Sequence, residues 1–154
     1  MAKAPKTWIL TGSPESFAVT RERGFRLLGM KERRRNQALA IAPGDRIVFY
    51  LTRAGRFGAS VRVTGDLFED RTSVSPGRPD AYPWRFETVP EVVLDEPDRL
   101  PAAAVKDDLE HVRKWPAAYW TLAFQGRLRT VSDADAELLL ARLRAAAVGA
   151  AAAA

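Results

Sequence analysis

The sequence contains no cysteine and only one histidine, His111, and these two shortages exclude several kinds of site. Without cysteine, the chain forms no disulfide bond and no thiolate metal centre. One histidine is too few for a histidine-rich zinc site or for a catalytic group that uses two histidines. We therefore expect no metal and no cofactor, and we interpret His111 as a structural or surface residue.

Long apolar runs are also missing. No stretch is long enough to cross a bilayer, and the first residues lack the continuous apolar core of a secretory signal. We expect a cytoplasmic protein with no membrane partner.

Motifs of common catalytic and phosphate-binding sites are absent as well. Neither GxGxxG nor GxxxxGK[ST] occurs, and neither HExxH nor GxSxG occurs. The acidic pairs at residues 69–70 and 107–108 are neighbours in the chain, so on a helix or a strand their side chains point in different directions. Enzymatic function therefore has no positive support, and we expect a non-catalytic protein.

The length of the chain, 154 residues, is typical of one domain. A chain of this length buries about two-thirds of its unfolded surface, which is enough for a core without cross-links. We expect residues 1–146 to form this domain. Residues 147–154 are mostly alanine, and we expect them to form a frayed helix or a disordered tail.

The excess positive charge of the chain lies in one segment. Residues 21–35 contain seven basic and two acidic residues, whereas the rest of the sequence is balanced. An excess held in one segment, ahead of the aromatic run at residues 47–50, is typical of a surface that binds phosphate. A solvated helix face with unpaired arginines is an equally good interpretation of the charge alone.

The N-terminal part of the sequence has clear signals for a strand and a helix. Residues 7–11 (TWILT) predict a short, mostly buried strand. Ser13 followed by Pro14 predicts a helix start, with Ser13 as the N-cap and Pro14 in the first turn. Gly24 predicts the end of this helix.

The next segments alternate between helical and extended patterns. Residues 32–41 predict a short helix with Leu39 and Ile41 turned inward. Pro43, Gly44 and Asp45 (residues 43–45) predict a turn, because proline presets φ and glycine accepts a positive φ. A buried strand is predicted to follow at residues 46–52.

The rest of the chain predicts further strands and a capped helix. Residues 57–65 return as the hairpin partner of the preceding strand, and residues 70–83 form a long loop. Residues 84–94 predict one bent strand or a strand pair, in which Pro90 marks an edge or a bulge. Ser132 caps a C-terminal helix. Short strands with helices after the first and the last strand indicate an α+β fold around a small mixed β-barrel.

Aromatic side chains offer a way to bind a nucleobase. The chain has four tryptophans and three tyrosines, and a base stacked on an aromatic ring gains about 1–3 kcal/mol. We interpret Trp8, inside the first strand, as a core residue. Trp84, at the junction of a loop and a strand, fits a core and a binding role equally well.

Several motifs in a fixed order match one family. They are the TGSPES turn at residues 11–16, GMKER at residues 29–33, PGD before IVFY at residues 43–50, YPWR at residues 82–85 and FQGRLR at residues 124–129. In this order they resemble the EVE domain family, which has a PUA-like fold related to the YTH readers of methylated adenine. The chain looks most similar to the small stand-alone members found in bacteria and archaea.

The resemblance implies a PUA-like β-barrel with flanking helices and a pocket that receives a flipped, modified nucleobase. The pocket residues that it implies are Thr11, Gly12, Ser13, Met30, Lys31, Asn36, Tyr50, Tyr82 and Trp84. Methyladenine readers carry a tryptophan at about the place of Met30 or Lys31. This chain has none there, so the resemblance implies a differently built aromatic cage and leaves modified cytosine and other bases open.

The arginines at residues 33–35 directly follow the implied pocket segment. Phosphate contacts position a nucleic acid, whereas base contacts specify it. We therefore expect Arg33, Arg34 and Arg35 to bind phosphate, and the expected partner is single-stranded RNA or DNA, or a base flipped out of a duplex.

Alternative functions stay open at this point. A small-molecule or nucleotide sensor would use the same pocket without a strand. An enzyme that acts on nucleic acid or on nucleotides lacks positive support. A dimerisation module would use the aromatic residues of segment 115–120, and homodimerisation is left open.

Overall fold

The computed structural model describes residues 4–70, 82–125 and 128–153. Its strands are β1 (Thr7–Gly12), β2 (Leu27–Met30), β3 (Arg46–Leu51), β4 (Arg56–Val63), β5 (Phe68–Glu69), β6 (Trp84–Val93), β7 (Leu100–Pro101) and β8 (Leu128–Val131). Its α-helices are α1 (Pro14–Glu22), α2 (Arg35–Ala38), α3 (Glu110–Arg113) and α4 (Asp133–Ala153). Short 3₁₀ segments lie at Glu32–Arg34, Glu96–Asp98, Ala102–Ala104, Lys106–Asp108 and Ala117–Phe124.

The strands form one curled, mixed sheet with the order β2-β6-β4-β3-β1-β8. β1 and β3 are parallel, and the other neighbours are antiparallel. β5 adds to β6, and β7 adds to β4. Helices flank this half-barrel, which confirms the predicted α+β class with a small mixed barrel.

In β3, residues 47–51 are all hydrophobic because this strand is buried on both faces of the sheet. In β3, Ile47 and Phe49 pack into the core inside the barrel, together with residues of α1 and β2. Val48 and Tyr50 point the other way, into a second core that α4 covers. Burial on both faces replaces the polar alternation of a half-exposed strand with a continuous apolar run.

α1 begins and ends where the sequence predicts. The Ser13 hydroxyl accepts a hydrogen bond from the Ser16 backbone N–H at 3.1 Å, and Pro14 is the first helical residue. After the helix, Gly24 has a φ of +69°, a conformation that costs glycine little. The N-cap and the glycine stop are both confirmed.

The segment predicted as one helix over residues 32–41 is split, and the prediction for Leu39 is wrong. A 3₁₀ turn is followed by the single turn of α2, which ends at Ala38. Ala38 is fully buried, and the Ile41 N–H bonds to its carbonyl, so these two residues occupy the inward positions. Leu39 falls between them and is 54% exposed.

Pro90 marks a bulge, as predicted. The register between β4 and β6 shifts between Ser60 and Val61, and Glu91 is the extra residue of β6. Its carboxylate accepts two hydrogen bonds from Arg46, at 2.7 and 3.1 Å. Burial acts to raise the pKa of Glu91, but the hydrogen bonds and charge of Arg46, helped by Ser60, hold it below its ordinary value.

Asp45, which ends the predicted turn, ties the start of the chain to the sheet. Its buried carboxylate accepts hydrogen bonds from the backbone N–H of Lys6 at 2.9 Å and of Ala42 at 3.0 Å. The third donor is the indole N–H of Trp8, at 2.9 Å. Trp8 is 8% exposed, which confirms it as a core residue.

His111 joins α3 to the helices around it. One ring nitrogen lies 2.6 Å from the carbonyl of Ala123, and the backbone N–H donates to Asp135 of α4 at 2.9 Å. His111 and Asp135 are both buried, and the Ser132 hydroxyl accepts from the Asp135 N–H. His111 is therefore structural, and the predicted cap of α4 is confirmed.

The predicted loop and the alanine-rich end lie at limits of the residues that the structure describes. Most of the predicted loop, residues 71–81, lies outside the described residues. The alanine-rich end is helical through Ala153. Within the described part of the chain, no helix combines the length and the apolar character that crossing a membrane requires.

We predict that Asp45→Ala destabilises the fold by about 2–4 kcal/mol, because three donors lose a buried acceptor. Urea unfolding measures this change. Asp66→Ala is the matched control, because Asp66 is exposed, and it should stay within about 0.5 kcal/mol of the parent. Equal stability of the two variants would contradict the role of Asp45.

A second prediction concerns acid stability. Burial lowers the pKa of the His111 ring below its ordinary value of 6.5. The hydrogen bond to the Ala123 carbonyl and the charge of Asp135 act to raise this pKa, whereas the charges of Arg129 and Lys114 act to lower it further. Because the folded state disfavours the charged ring, stability is complete above pH 6.5 and falls as the pH drops through the folded-state pKa.

The measurement is the unfolding free energy of the parent and of His111→Gln between about pH 7 and pH 5, above the range where carboxylates titrate. Glutamine keeps a donor for the Ala123 carbonyl but does not titrate. The parent should lose stability over this window, and the variant should show a flatter profile. Parallel profiles would rule out His111 as the source of the pH dependence.

Candidate functional site

The parallel pairing of β1 and β3 brings the ends of both strands to one edge of the sheet. Gly12 pairs with Leu51, and the Thr52 N–H donates to the Gly12 carbonyl at 2.9 Å. α1 starts from the same edge, immediately after Ser13. The edge therefore carries the partial positive charge of a helix N-terminus, which favours acceptor atoms and anions.

A cleft opens beside this edge, with a volume of ≈ 590 Å³. We call it the α1 cleft, and it is lined by Thr11, Gly12, Ser13, Ser16, Lys31, Arg34, Thr52, Tyr82, Phe124 and Gln125. Its volume lies in the range of small-ligand sites, about 300–1,000 Å³. A smaller cavity of ≈ 60 Å³ shares its mouth residues and continues inward between apolar side chains that include Met30.

Seven of the predicted pocket residues border this region. Five line the α1 cleft, namely Thr11, Gly12, Ser13, Lys31 and Tyr82, and two line the inner cavity, namely Met30 and Tyr50. Apart from Tyr50 of β3, they come from the end of β1, the end of β2 with the residue after it, and the segment before β6. β2 pairs with β6, and this antiparallel pair brings the last two segments side by side.

The hydroxyl groups of the cleft hold its walls together. Thr11 donates to the Phe124 carbonyl at 2.8 Å, and Thr52 donates to the Gly12 carbonyl at 3.3 Å. The Ser13 hydroxyl caps α1. These bonds hold β1 at a fixed distance from the hairpin after β3 and from the end of the 3₁₀ segment Ala117–Phe124. The cleft is therefore formed in advance of any ligand.

Tyr82 is the aromatic wall of the α1 cleft. The Lys31 ammonium lies 5.9 Å from the centre of its ring. A Cβ atom at Gly29 would lie 2.9 Å from the Tyr82 Cβ, so only glycine leaves room for this approach. The buried guanidinium of Arg85 donates to the Tyr82 carbonyl at 3.0 Å and pairs with Asp70 at 3.2 Å. Gly29 and Arg85 therefore position Tyr82.

Trp84 is not among the residues that line the cleft. It is half-buried against the inner core, and its indole N–H donates to Glu32 at 2.9 Å. The Arg35 guanidinium lies 5.0 Å from its ring centre. Asn36 is exposed and also lies outside the lining. Direct base contacts by Trp84 and Asn36 stay predictions.

Tyr50 borders the inner cavity, but its ring belongs to the second core. It stacks on Phe124 with 4.5 Å between ring centres and 14° between planes. Burial raises the pKa of its hydroxyl, so the ring stays neutral at pH 7. Tyr50 supports the wall that Phe124 contributes, and a direct base contact stays a prediction.

Of the three arginines predicted to bind phosphate, Arg34 lines the cleft. It donates to Gln37 at 3.4 Å, and its buried Nε has no hydrogen-bond partner among the described residues. Arg33 is exposed, and Arg35 lies over Trp84. Lys31 and Arg34 give the cleft two positive charges, and none of the described lining residues is acidic.

Sequence reasoning missed several wall residues, namely Ser16, Thr52, Phe124, Gln125 and the positioning residues Gly29 and Arg85. All of these residues except Thr52 belong to the matched motifs, which were the available signal for them. The complete burial of Arg85 depends on tertiary packing, which no motif shows. Among the described residues, no three histidine or acidic side chains cluster as metal ligands.

Solved structures with the same fold have low sequence identity to this chain. The YTH domain of Zygosaccharomyces rouxii MRB1 in complex with N6-methyladenosine RNA has a TM-score of 0.64 at 14% identity, over 92% of this chain and 86% of that chain. The Mmi1 YTH domain has a TM-score of 0.68 at 8% identity, over 97% and 81%. A hypothetical protein from Leishmania major has a TM-score of 0.60 at 14% identity, over 94% and 98%. The YTH-like fold is thus confirmed.

Curated protein sequences give no match to the chain. A family model, that of the EVE domain, matches residues 6–142. The matched span includes all the strands and both sides of the α1 cleft. The resemblance seen in the ordered motifs is thereby confirmed, and the chain belongs to the EVE domain family.

Proposed function

We propose that this protein is a non-catalytic nucleic-acid binding module that holds one extruded nucleobase, a modified one, in the α1 cleft. The observation that carries the proposal is the composition of the cleft. An aromatic ring, Tyr82, stands beside two cations, Lys31 and Arg34, in a preformed cleft of ≈ 590 Å³. A flat aromatic surface and nearby positive charge are what a base and its phosphate require.

The energetics favour single strands. Stacking of a base on one aromatic ring contributes about 1–3 kcal/mol. Extruding a base from a duplex costs a few kcal/mol, which is least for a weakened or single-stranded site. One ring offsets that cost only in part, so the expected partner is a single strand or an already weakened pair in RNA or DNA.

The relatives support the nucleic-acid partner by likeness of fold. One YTH neighbour was solved with N6-methyladenosine RNA, and a second Mmi1 structure is a complex with RNA. In this chain Met30 lines the inner cavity and Lys31 the cleft, at the place where the resemblance puts a tryptophan in methyladenine readers. A thioether and an ammonium in place of an indole would make a differently built cage, which leaves modified cytosine and other bases open.

The basic segment supplies the phosphate contacts in this proposal. Arg34 lies in the cleft lining, and Arg33 and Arg35 flank it on the exposed side. Arg33 has no ion-pair partner among the described residues, so its charge is available to an anion. These contacts would be insensitive to sequence, whereas the cleft selects the base.

We predict that Gly12→Val closes the cleft without harming the fold. A Cβ atom at Gly12 meets no atom within 4 Å, and valine is well suited to a strand. The affinity for single-stranded pentanucleotides should fall at least about tenfold, since added side-chain volume competes with the base for the cleft. Fluorescence anisotropy measures it, with RNA and DNA probes that are plain or carry one N6-methyladenine or 5-methylcytosine.

Gly149→Val is the matched control, because a Cβ atom there also meets nothing within 4 Å and Gly149 lies in α4, away from the cleft. It should bind like the parent. Unchanged binding by Gly12→Val would remove the α1 cleft from the proposal. A free modified nucleoside that binds as tightly as the pentanucleotide would instead favour the small-molecule sensor.

We predict that Tyr82→Leu loses affinity and discrimination between modified and plain base. The expected loss is about fivefold to 150-fold, the value of one stacking interaction. Tyr119→Leu is the control, because Tyr119 is 61% exposed and lies outside the cleft lining. Trp84→Leu tests the base contact predicted for Trp84, and a base that also contacts this ring should lose discrimination in that variant as well. The opposite pattern, with Trp84 essential and Tyr82 dispensable, would move the base site to Trp84.

A further inference from the structure

A second cleft, with a volume of ≈ 650 Å³, is lined by residues of β8, α2 and the segment after α3. We call it the Trp115 cleft. Its floor includes Leu128, which is buried in β8, and its walls include Trp115 and Lys114, which follow α3. Gln37, from α2, and Arg129, from β8, also line this cleft. The function proposed above does not use this cleft.

The charge of the Trp115 cleft matches that of the α1 cleft. Lys114 and Arg129 are cationic, and none of the described residues that line the cleft is acidic. Lys114 is exposed and has no ion pair with any described residue. Arg129 uses its Nε to bond the Gln125 carbonyl at 2.7 Å, and its two terminal nitrogens make no hydrogen bond within the described ranges. Both cations are therefore available to phosphate.

Trp115 gives this cleft an aromatic surface. The ring is half-buried and packs on the second core, which fixes its orientation. The Arg129 guanidinium lies 6.0 Å from the ring centre. An aromatic ring and an arginine at this spacing form the kind of platform on which bases of single strands stack, without preference for sequence.

The two clefts are neighbours, and two contacts join them. Arg34 of the α1 cleft bonds Gln37 of the Trp115 cleft. Gln125 of the α1 cleft accepts from Arg129 of the Trp115 cleft. Two lining residues of the α1 cleft are thus hydrogen-bonded to two lining residues of the Trp115 cleft, and these four residues separate the two clefts. A nucleic-acid strand that leaves the α1 cleft across these residues reaches the Trp115 cleft.

We propose that the Trp115 cleft is a second nucleotide site, which holds a neighbouring nucleotide of the same strand. Trp115 stacks on its base, and Lys114 and Arg129 bind its phosphates. This inference rests on the proposed function, because the second site is reached through the first. It deepens that function by setting a minimum length for the ligand, so that a strand binds more tightly than one nucleotide.

The test compares a mononucleotide with single-stranded pentanucleotides of RNA and DNA. Lys114→Gln with Arg129→Gln removes both charges but keeps polar side chains, and Trp115→Leu removes the ring but keeps an apolar contact with the core. Arg113→Gln with Arg144→Gln is the control, because both arginines are exposed and outside the two clefts. Anisotropy and calorimetry give the affinities, and thermal unfolding verifies the fold.

For the pentanucleotide, each of the two test variants should bind about fivefold more weakly or worse, the minimum for one stacked base. The charge variant should also lower the slope of log affinity against log salt by about 1.4, since each phosphate contact on a single strand contributes about 0.7. Mononucleotide binding should be unchanged, and the control should match the parent.

Unchanged pentanucleotide affinity and salt slope in both test variants, with binding still lost in Gly12→Val, would overturn the second site and leave the proposed function intact. Equal weakening of the mononucleotide would also overturn it, because the variants would then act through the α1 cleft. A parent protein that binds none of the probes would overturn the proposed function itself.

Discussion

The parallel pairing of β1 with β3 is the constraint on which the site depends. It places the ends of both strands at one edge, where the Thr52 N–H bonds the Gly12 carbonyl. It also sets the origin of α1, which must leave the sheet from that same edge. The other walls then follow from packing: the β2–β6 pair brings Lys31 beside Tyr82, and Thr11 binds the carbonyl of Phe124.

Buried carboxylates and exposed arginines have separate roles in this protein. Asp45 and Asp135 each accept hydrogen bonds from backbone N–H groups and tie distant segments together in the interior. Glu91 forms an ion pair with Arg46 at the bulge. Because the acidic groups are used in this way, the cations of the two clefts face no competing carboxylate among the described lining residues.

Local signals in the sequence were sufficient for much of the fold. Ser13 and Pro14 start α1 because capping is a property of adjacent residues, and Gly24 ends it for the same reason. Leu39 was mispredicted since the inward face of a segment of mixed 3₁₀ and α geometry does not follow the period of a regular helix. The strands of the core were predictable from their apolar runs, which burial on both faces requires.

The site was less predictable than the fold, because most of its walls come from segments far apart in the chain. The resemblance indicated Thr11, Lys31 and Tyr82, which the structure brings together. It did not place Gln125 among the pocket residues, although Gln125 stands in the matched motif at residues 124–129, and the ring of Tyr50 packs in the second core. The burial of Arg85 under Tyr82 depends on the packing of β6 and has no counterpart in local sequence.

Entry of a nucleobase into the α1 cleft can be observed through amide chemical shifts recorded during a titration. The titrant is the tightest-binding pentanucleotide of the plain and modified set. If the base enters the cleft, the largest shifts occur at Gly12, Ser13, Lys31 and Tyr82, which surround it. Saturable binding that leaves these four amides unmoved, with shifts confined to other surfaces, would contradict entry of the base into the cleft.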